Sequence, residues 1–584
     1  SAASDVYKRQ IIGYVRPYKK YLLAAVIFSL LGVSLSLFVP ILIGRGVDFI
    51  VGENAVDFKE LAKLAAVLAG IVLVSTFFQW LTALATNKLS YNTIRDIRTE
   101  LFDTLNVVPL KFIDKSSKGE LISRAVNDIE IISDGLLQGF TQLFSGIITI
   151  LGTLVFMLTI NIKIALLVVI LTPLSLFTAA KITRLSKNSF TEQSTHRGEL
   201  NGLAEEMIGN QKIVKAFSYE KRAEAGFKDI NDKMAQSGVK AVFFSSMTNP
   251  TTRFVNGLIY AAVGTAGALS AIGALSFFGK ISIGQLTSFL SYSNQYTKPF
   301  NEISGVVAEL QNAVASAERV FSVIDEPLES TDAGKEELTV CDGSLELEHV
   351  SFSYNTETKL ITDFNLKVKP GQKIAIVGPT GCGKTTVINL LLRFYDINGG
   401  AITVSGKNTR DITRSSLRSV FGMVLQDTWL FTGTVAENIA YGKSDASVDE
   451  IIAAAKAAHA HSFIKRLPEG YDTYITEEGG ELSQGQKQLI SIARIMLTNP
   501  PILILDEATS SIDIRTEQRI QRAFEKLMKG KTSFIIAHRL STIKNADVIL
   551  VMKNGNIIEQ GNHKQLMEQN GFYAELYSSQ FSVV

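Results

Sequence analysis

Cysteine is almost missing from this chain: Cys341 and Cys382 are the only two in 584 residues, and they lie far apart. No disulfide framework is expected from such a pair, and no Cys/His spacing matches a metal site. Cys341 reads as a free cytosolic thiol. Net charge is scarce too. The 58 Lys+Arg and 56 Asp+Glu nearly cancel to a formal +2, which indicates no polyanion partner and argues against a nucleic-acid function. A cleavable signal core is not evident, because the first apolar run begins near Tyr21 and is too long for one. The numbered chain opens SAASDVYKRQ without a methionine, and that stretch is left out of the fold argument.

Long apolar runs are what the first half has instead. A bilayer core of about 30 Å takes ~20 apolar residues as helix, and six runs of that order occur: Tyr21 to Gly44, Leu61 to Leu84, Leu137 to Ile160, Ile164 to Ile182, Phe254 to Phe277 and Ile283 to Val307, the last the most polar. Connections after the first, third and fifth runs are short. Those after the second and fourth hold about fifty to seventy residues, far beyond ordinary loops, with mixed charge and hardly any proline, so they read as helices continuing past the bilayer.

Lysine and arginine placement sets the orientation. Lys8, Arg9, Arg16, Lys19 and Lys20 precede the first run, Lys88, Arg95, Arg98 and Lys111 sit in the first long connection, and Arg184, Lys187, Arg197 and Lys212 in the second. Both termini and both long connections are therefore expected in the cytosol. Pro40, Pro173, Pro250 and Pro299 are tolerable as kinks. Arg45, Asp48 and Arg253 lie near run ends, where they need not line a path. Gln79, Asn256, Gln285, Gln295 and Asn301 are at spanning depth and suit either a lined cavity or interhelical hydrogen bonds. Almost no charge lies mid-membrane, which favours a lipophilic or amphipathic cargo over an inorganic ion.

After Ser344 the composition becomes that of a soluble α/β domain. The expected division is 1–20 as an N-terminal segment, 21–316 as a six-helix membrane domain, 317–340 as a linker and 341–584 as a nucleotide-binding domain. The apolar strand Lys373 to Val377 leads into GPTGCGKT, a full match to GxxxxGK[ST]. In the expected ATP-binding loop Gly378, Pro379, Thr380, Gly381, Cys382 and Gly383, the glycines let backbone N–H groups close on phosphate oxygens at a helix start. Lys384 reaches the β- and γ-phosphates, Thr385 binds Mg²⁺, and Thr386 completes the turn. A second apolar strand, PILILDEATS, brings Asp506 to the sheet edge for a water-mediated Mg²⁺ contact and Glu507 as the base for the attacking water. The bland reading of these two carboxylates is a helix cap with Thr509 and Ser510.

Six ordered motifs carry a family resemblance: GPTGCGKT, Gln426 in VLQD, LSQGQ, ILILDE, SSID, and His538 in IIAHR. Behind six apolar runs, they make the chain resemble an ABC exporter half-transporter, a membrane domain fused to an ATP-binding cassette, over nearly its whole length. The resemblance implies the α-helical membrane fold joined to an α/β P-loop NTPase domain, with ATP and Mg²⁺ as cofactors. By it, Tyr354 stacks on adenine, Gln426 contacts Mg²⁺ or the attacking water, and His538 holds the γ-phosphate beside Glu507. Ser483, Gln484, Gly485, Gln486 and Asp513 act in trans on a partner's ATP, and the segments Phe112 to Ser117 and Phe217 to Tyr219 couple the two domains.

The family's usual signature is LSGGQ, and Gln484 stands where its first glycine does. A side chain there is expected to hinder close backbone approach and weaken the site shared with the partner's loop, while this chain's Glu507 and His538 are intact. That asymmetry resembles the catalytic-glutamate subunit of a heterodimeric multidrug exporter; a tolerated substitution in a homodimer is the competing reading. The expected function is ATP-driven export of an amphipathic compound across the cytoplasmic membrane by alternating access, with a lipid flippase as alternative and an ATP-gated channel or regulator less favoured. Expected partners are a second half-transporter, membrane lipid and a lipophilic small molecule.

Overall fold

Among the described residues the apolar runs are helical, the first divided between two helices at Phe38. In a computed structural model, residues 2–50, 56–273, 279–355, 360–425, 428–476, 482–506, 513–536 and 543–581 are described, in two units: Ser1–Val107 with Ser116–Glu326, and Val108–Lys115 with Pro327–Val584.

The helices of the first unit are α1 (Ala2–Val15), α2 (Lys19–Leu37), α3 (Val39–Asp48) and α4 (Phe58–Val107); after α5 (Leu110–Lys115), which belongs to the other unit, come α6 (Lys118–Ser123), α7 (Ile129–Ile160), α8 (Ile162–Gly209), α9 (Gln211–Ala216), α10 (Glu220–Ser246), α11 (Thr248–Ala271) and α12 (Ile283–Ile324). The 50 residues of α4 rise about 75 Å at ~1.5 Å each, more than twice a ~30 Å hydrocarbon core. The long connections are thus helical extensions, as their charge pattern suggested. Among the described residues, four helical stretches are long and apolar enough to cross a membrane, Arg9–Asp48, Phe58–Val107, Lys118–Ile160 and Glu220–Ala271, and Ile162–Leu174 is a shorter apolar helix.

Pro40 does not kink a helix but starts one, in the first turn of α3, where its missing N–H is not needed. Pro173 and Pro299 do lie inside α8 and α12. The polar residues of the runs divide by role. Gln285 closes a capping box with Ser282 at the start of α12, and Asp48 accepts hydrogen bonds from Ser282 Oγ and the Gly284 N–H, both at 2.8 Å. Gln79 donates to Ser75 Oγ (3.4 Å), which donates across to the Gly32 carbonyl of α2 at 3.0 Å. These are interhelical and capping contacts rather than a path. The side chain of Asn301 lies outside the described residues. Toward the other end of α12, Arg319 pairs with the buried Asp128 (Nε–Oδ2 2.9 Å) in a π-type turn at Arg124–Asp128.

The second unit is built on two main sheets. An antiparallel sheet runs β2 (Ile361–Val368), β1 (Leu345–Phe352), β4 (Gly399–Val404), β5 (Lys407–Asn408). The larger sheet has the order β12-β11-β3-β10-β9-β6, with β3 at Lys373–Val377, β6 at Phe421–Val424, β9 at Ile502–Asp506, β10 at Thr532–Ile536, β11 at Val548–Lys553 and β12 at Asn556–Gly561. KIAIV, ILILD and TSFII are buried almost throughout, the continuous apolar pattern of parallel strands covered on both faces.

The expected linker 317–340 divides differently. From Ala317 the helix α12 continues to Ile324, because AERVFSVI keeps its apolar period, and the units part between Glu326 and Pro327. The residues beyond are held on the nucleotide unit. Buried Arg414 donates to the Ser330 carbonyl at 2.7 Å and to Asp332 at 3.0 Å, and Glu336 bridges to Ile412.

Candidate nucleotide site

The register of the parallel strands positions the site. Ile536 of β10 pairs with Ile376 of β3 on one side and Asp506 of β9 on the other, and Val424 of β6 pairs with Leu505. The carboxyl ends of β3, β10, β9 and β6 therefore end together along one sheet edge, where ligands of parallel α/β sheets bind. Asp506 is the last residue of its strand.

From β3 the chain turns through Gly378 at φ +154°, where a Cβ would stand 2.3 Å from the Met552 carbonyl oxygen and 2.8 Å from Cys382 Sγ. Gly383 caps α13 (Lys384–Leu391) at φ +101°, a left-handed geometry that glycine adopts without strain. Cys382 is buried beneath the loop, and Cys341 and Cys382 are both free thiols. Lys384 Nζ bends over the loop to the carbonyls of Gly378 (2.7 Å) and Pro379 (3.1 Å). A cavity of about 530 Å³ opens here, lined by Thr380, Gly381, Gly383, Lys384, Thr385, Thr386, Asp506, Ile536, Leu360 and Tyr354. This is the volume range of small-molecule sites. Among the described residues no cluster of three or more His, Cys, Asp or Glu could hold a metal. One carboxylate and one hydroxyl on the same cavity suit Mg²⁺, which takes few protein ligands and completes its shell with water and phosphate.

Tyr354 closes the far wall. Its hydroxyl donates to Thr386 Oγ1 at 3.2 Å, and its ring meets Phe352 and Tyr395 edge-on, with centroids 4.9 and 5.0 Å apart. Tyr395 in turn donates to Asp114 of α5 at 2.5 Å. Burial, then the hydrogen bond and charge of Asp114, push the Tyr395 phenol far above its usual range. Asp114 lies in the expected coupling segment Phe112 to Ser117, whereas no motif singles out Tyr395.

Ser483 is the N-cap of α18 (Gln484–Thr498) and shares a reciprocal capping box with Gln486: Ser483 Oγ accepts from the Gln486 N–H at 3.3 Å, and Gln486 Oε1 accepts from the Ser483 N–H at 2.8 Å. Gln484 is the first helical residue and is exposed, whereas Gly485 is buried. Position 484 has no positive φ, so its backbone places no demand for glycine. Helix α18 is anchored by Arg494, which donates to the Asn438 carbonyl (2.9 Å) and lies over the Tyr441 ring. Asp513 caps α19 (Ile514–Met528), accepting from the Thr516 N–H at 3.0 Å; the Thr516 hydroxyl first, and then that N–H, hold its carboxyl below the usual range. Gln426, Glu507 and His538 lie outside the described residues. In sequence they follow the ends of β6, β9 and β10 by two, one and two positions.

Comparison with known proteins adds the following. The family model for the ABC transporter transmembrane region matches residues 22–300 and the ABC transporter family model matches residues 361–510. A fatty acid ABC transporter ATP-binding/permease protein of Mycobacterium bovis is 43% identical over 91% of this chain and 83% of its own length. An ATP-dependent lipid A-core flippase of Syntrophus aciditrophicus is 35% identical over 99% of this chain and 95% of its own. A bacterial Atm1-family ABC exporter solved with ATP bound superposes with a TM-score of 0.79 at 30% identity, over 96% of this chain and 98% of that one.

Proposed function

We propose, from the premise that this chain belongs to the ABC transporter family as an exporter-type half-transporter, that it exports an amphipathic or lipophilic compound across the cytoplasmic membrane by alternating access. It is an ATPase coupled to transport, and such exporters work as dimers of half-transporters. The observation that carries the reading is the single row Ile376, Ile536, Asp506, which sets the phosphate loop and the acidic strand end on one cavity.

Within that cavity the loop N–H groups and Lys384 hold the phosphates, and Tyr354 supports the adenine. Thr385 and Asp506 hold Mg²⁺, which supplies charge neutralisation at the phosphates. Glu507 takes the proton of the attacking water, and His538 and Gln426 orient the terminal phosphate and that water. Ser483, Gly485, Gln486 and Asp513 meet the ATP of a partner chain. Residues Val108–Lys115 cluster with the nucleotide unit while the chain on both sides belongs to the membrane unit, which supports α5 as a coupling segment. The partner is a different half-transporter if Gln484 weakens close approach. Its exposed place at a helix start supports that steric argument, and its ordinary backbone leaves a homodimer open.

Glu507→Gln should retain ATP binding, lower hydrolysis by at least about a hundredfold, as loss of a general base does, and trap the closed dimer. Normal turnover by that variant would refute the role of Glu507. Co-purification with the tagged chain separates the dimer types: a second, distinct half-transporter or this chain alone. The flippase relative supports a second reading, in which the cargo is a membrane lipid; reconstituted vesicles that translocate labelled phospholipid, but no single-chain amphiphile, would favour it.

A further inference from the structure

The helix that follows the phosphate loop, α13, ends in a turn built without its customary glycine. The Phe394 N–H donates to the Asn389 carbonyl at 2.9 Å and the Arg393 N–H to the Leu390 carbonyl at 3.0 Å. These are the paired bonds of a Schellman cap, whose left-handed position ordinarily takes glycine. Arg393 occupies that position at φ +50°, where a Cβ is crowded against the backbone. The turn therefore depends on contacts from outside it. Two residues on is Tyr395, the ring that backs Tyr354.

Close packing does not supply those contacts. Besides the nucleotide cavity, Tyr354 lines a second cavity of about 300 Å³, together with Phe394, Tyr395, Glu329 and Arg414. A wall with open volume behind it lacks the dense contacts that fix side chains in a core, so polar contacts at its base decide where it stands. They come from α14 (Arg414–Ser419). Arg418 donates from Nε to the Leu392 carbonyl at 3.3 Å and from Nη2 to the Arg393 carbonyl at 3.1 Å. Its guanidinium also lies 5.2 Å from the centre of the Phe394 ring. One planar fork thus meets two carbonyls and a ring, an arrangement that an ammonium does not reproduce. Arg414, one helical turn earlier on the same face of α14, grips the Ser330 carbonyl and Asp332. Glu329 reaches both guanidiniums, at 3.4 Å from Arg414 Nε and 3.8 Å from Arg418 Nη2.

We infer that Arg418 is a positioning residue for ATP, fixing the turn at 392–395 and with it the Tyr395–Tyr354 wall, and that Glu329 ties the segment following α12 to this clamp. The inference rests on the reading above that Tyr354 supports the adenine, and goes beyond it by assigning what holds Tyr354 in place.

The test uses the full chain, with any partner that co-purifies, in lipid nanodiscs. The KM for ATP, kcat, and inhibition by inorganic tripolyphosphate, which carries the phosphates without the base, are measured for wild type, Tyr354→Ala, Arg418→Gln and Arg418→Lys. Arg418→Gln should raise the KM for ATP about fivefold, the weight of roughly one net hydrogen bond. Its kcat should stay within about twofold, which also reports an intact fold, and its inhibition by tripolyphosphate should be unchanged. Arg418→Lys, which keeps the charge without the fork, should fall between wild type and Arg418→Gln. Glu329→Gln should raise the KM in the wild-type background and add nothing to Arg418→Gln. An unchanged KM in Arg418→Gln, or equal weakening of ATP and tripolyphosphate, overturns the positioning role; the second result is what general damage to the end of α13 would give. Additive effects of Glu329→Gln and Arg418→Gln overturn the tie through Glu329. If Tyr354→Ala leaves the KM unchanged while Arg418→Gln raises it, the adenine reading fails and the clamp stands; the reverse pattern keeps the adenine reading and overturns the clamp.

Discussion

Replacing Tyr395 by Phe separates nucleotide binding from coupling. The Tyr395 hydroxyl reaches Asp114 of α5 at 2.5 Å, whereas its ring supports Tyr354 and Phe352 at centroid distances of 5.0 and 5.7 Å. The substitution removes the first and keeps the second. A hydrogen bond to a charged group contributes roughly 1.5–3 kcal/mol. Asp114 is exposed, so water competes for it, and the net loss should be about 1 kcal/mol, or roughly fivefold in the coupling equilibrium. With the transporter reconstituted in lipid, Tyr395→Phe should keep its KM for ATP and its unstimulated kcat within about twofold, while stimulation by a transported amphiphile falls by roughly fivefold. Tyr395→Ala should also raise the KM for ATP, since an aromatic pair beside Tyr354 is worth about 0.5–1.5 kcal/mol. Undiminished stimulation in Tyr395→Phe would refute the link through Asp114. An equal rise in KM in both variants would show that the hydroxyl serves the nucleotide pocket instead.

Two further substitutions test the packing on either side of that link. Gly284→Ala places a Cβ 2.0 Å from the Gly44 carbonyl oxygen and 2.6 Å from the Asp48 carboxylate, overpacking that costs about 1–3 kcal/mol or more; purified protein should inactivate at a lower temperature. Gly70→Ala, where a Cβ meets nothing within 4 Å, should not lose stability, and parity of the two variants would contradict the close α3–α12 crossing. In the nucleotide unit, the Lys443 ammonium at 2.5 Å and the Ser447 N–H at 2.8 Å hold Glu450 down to about 2 from the ordinary 4.5. A depressed carboxyl stabilises the fold above its unfolded pKa, and that contribution is lost as pH falls through the folded value. Wild type should therefore melt above Glu450→Gln at neutral pH, with the difference closing between about pH 4.5 and pH 2; a difference independent of pH would mean that shape, not charge, matters there.

Much of this molecule is decided locally and can be read along the chain. Apolar runs long enough for a bilayer, polar helical segments between them, GPTGCGKT after a buried strand and ILILD before an acidic pair are each contiguous, and periodicity and glycine placement report contiguous structure directly. Other features depend on which residues meet across long separations, and no local pattern encodes those meetings. Gln79 and Gln285 looked like Asn256, yet helix crossings make the first two a packing contact and a cap and leave the third on a cavity. The burial of Val255, Ile259 and Val263 on the opposite face of α11 leaves Arg253 exposed, beside Asn256 on the lining of an open groove. Tyr395 and Asp114 are 281 positions apart, and nothing in either segment announces the other. By itself, the sequence determined the family, the two-part architecture and the loop that takes phosphate, because each follows from short-range pattern and chemistry. Only the tertiary structure decided which polar groups line a cavity and which side chain meets Asp114, because those depend on three-dimensional packing.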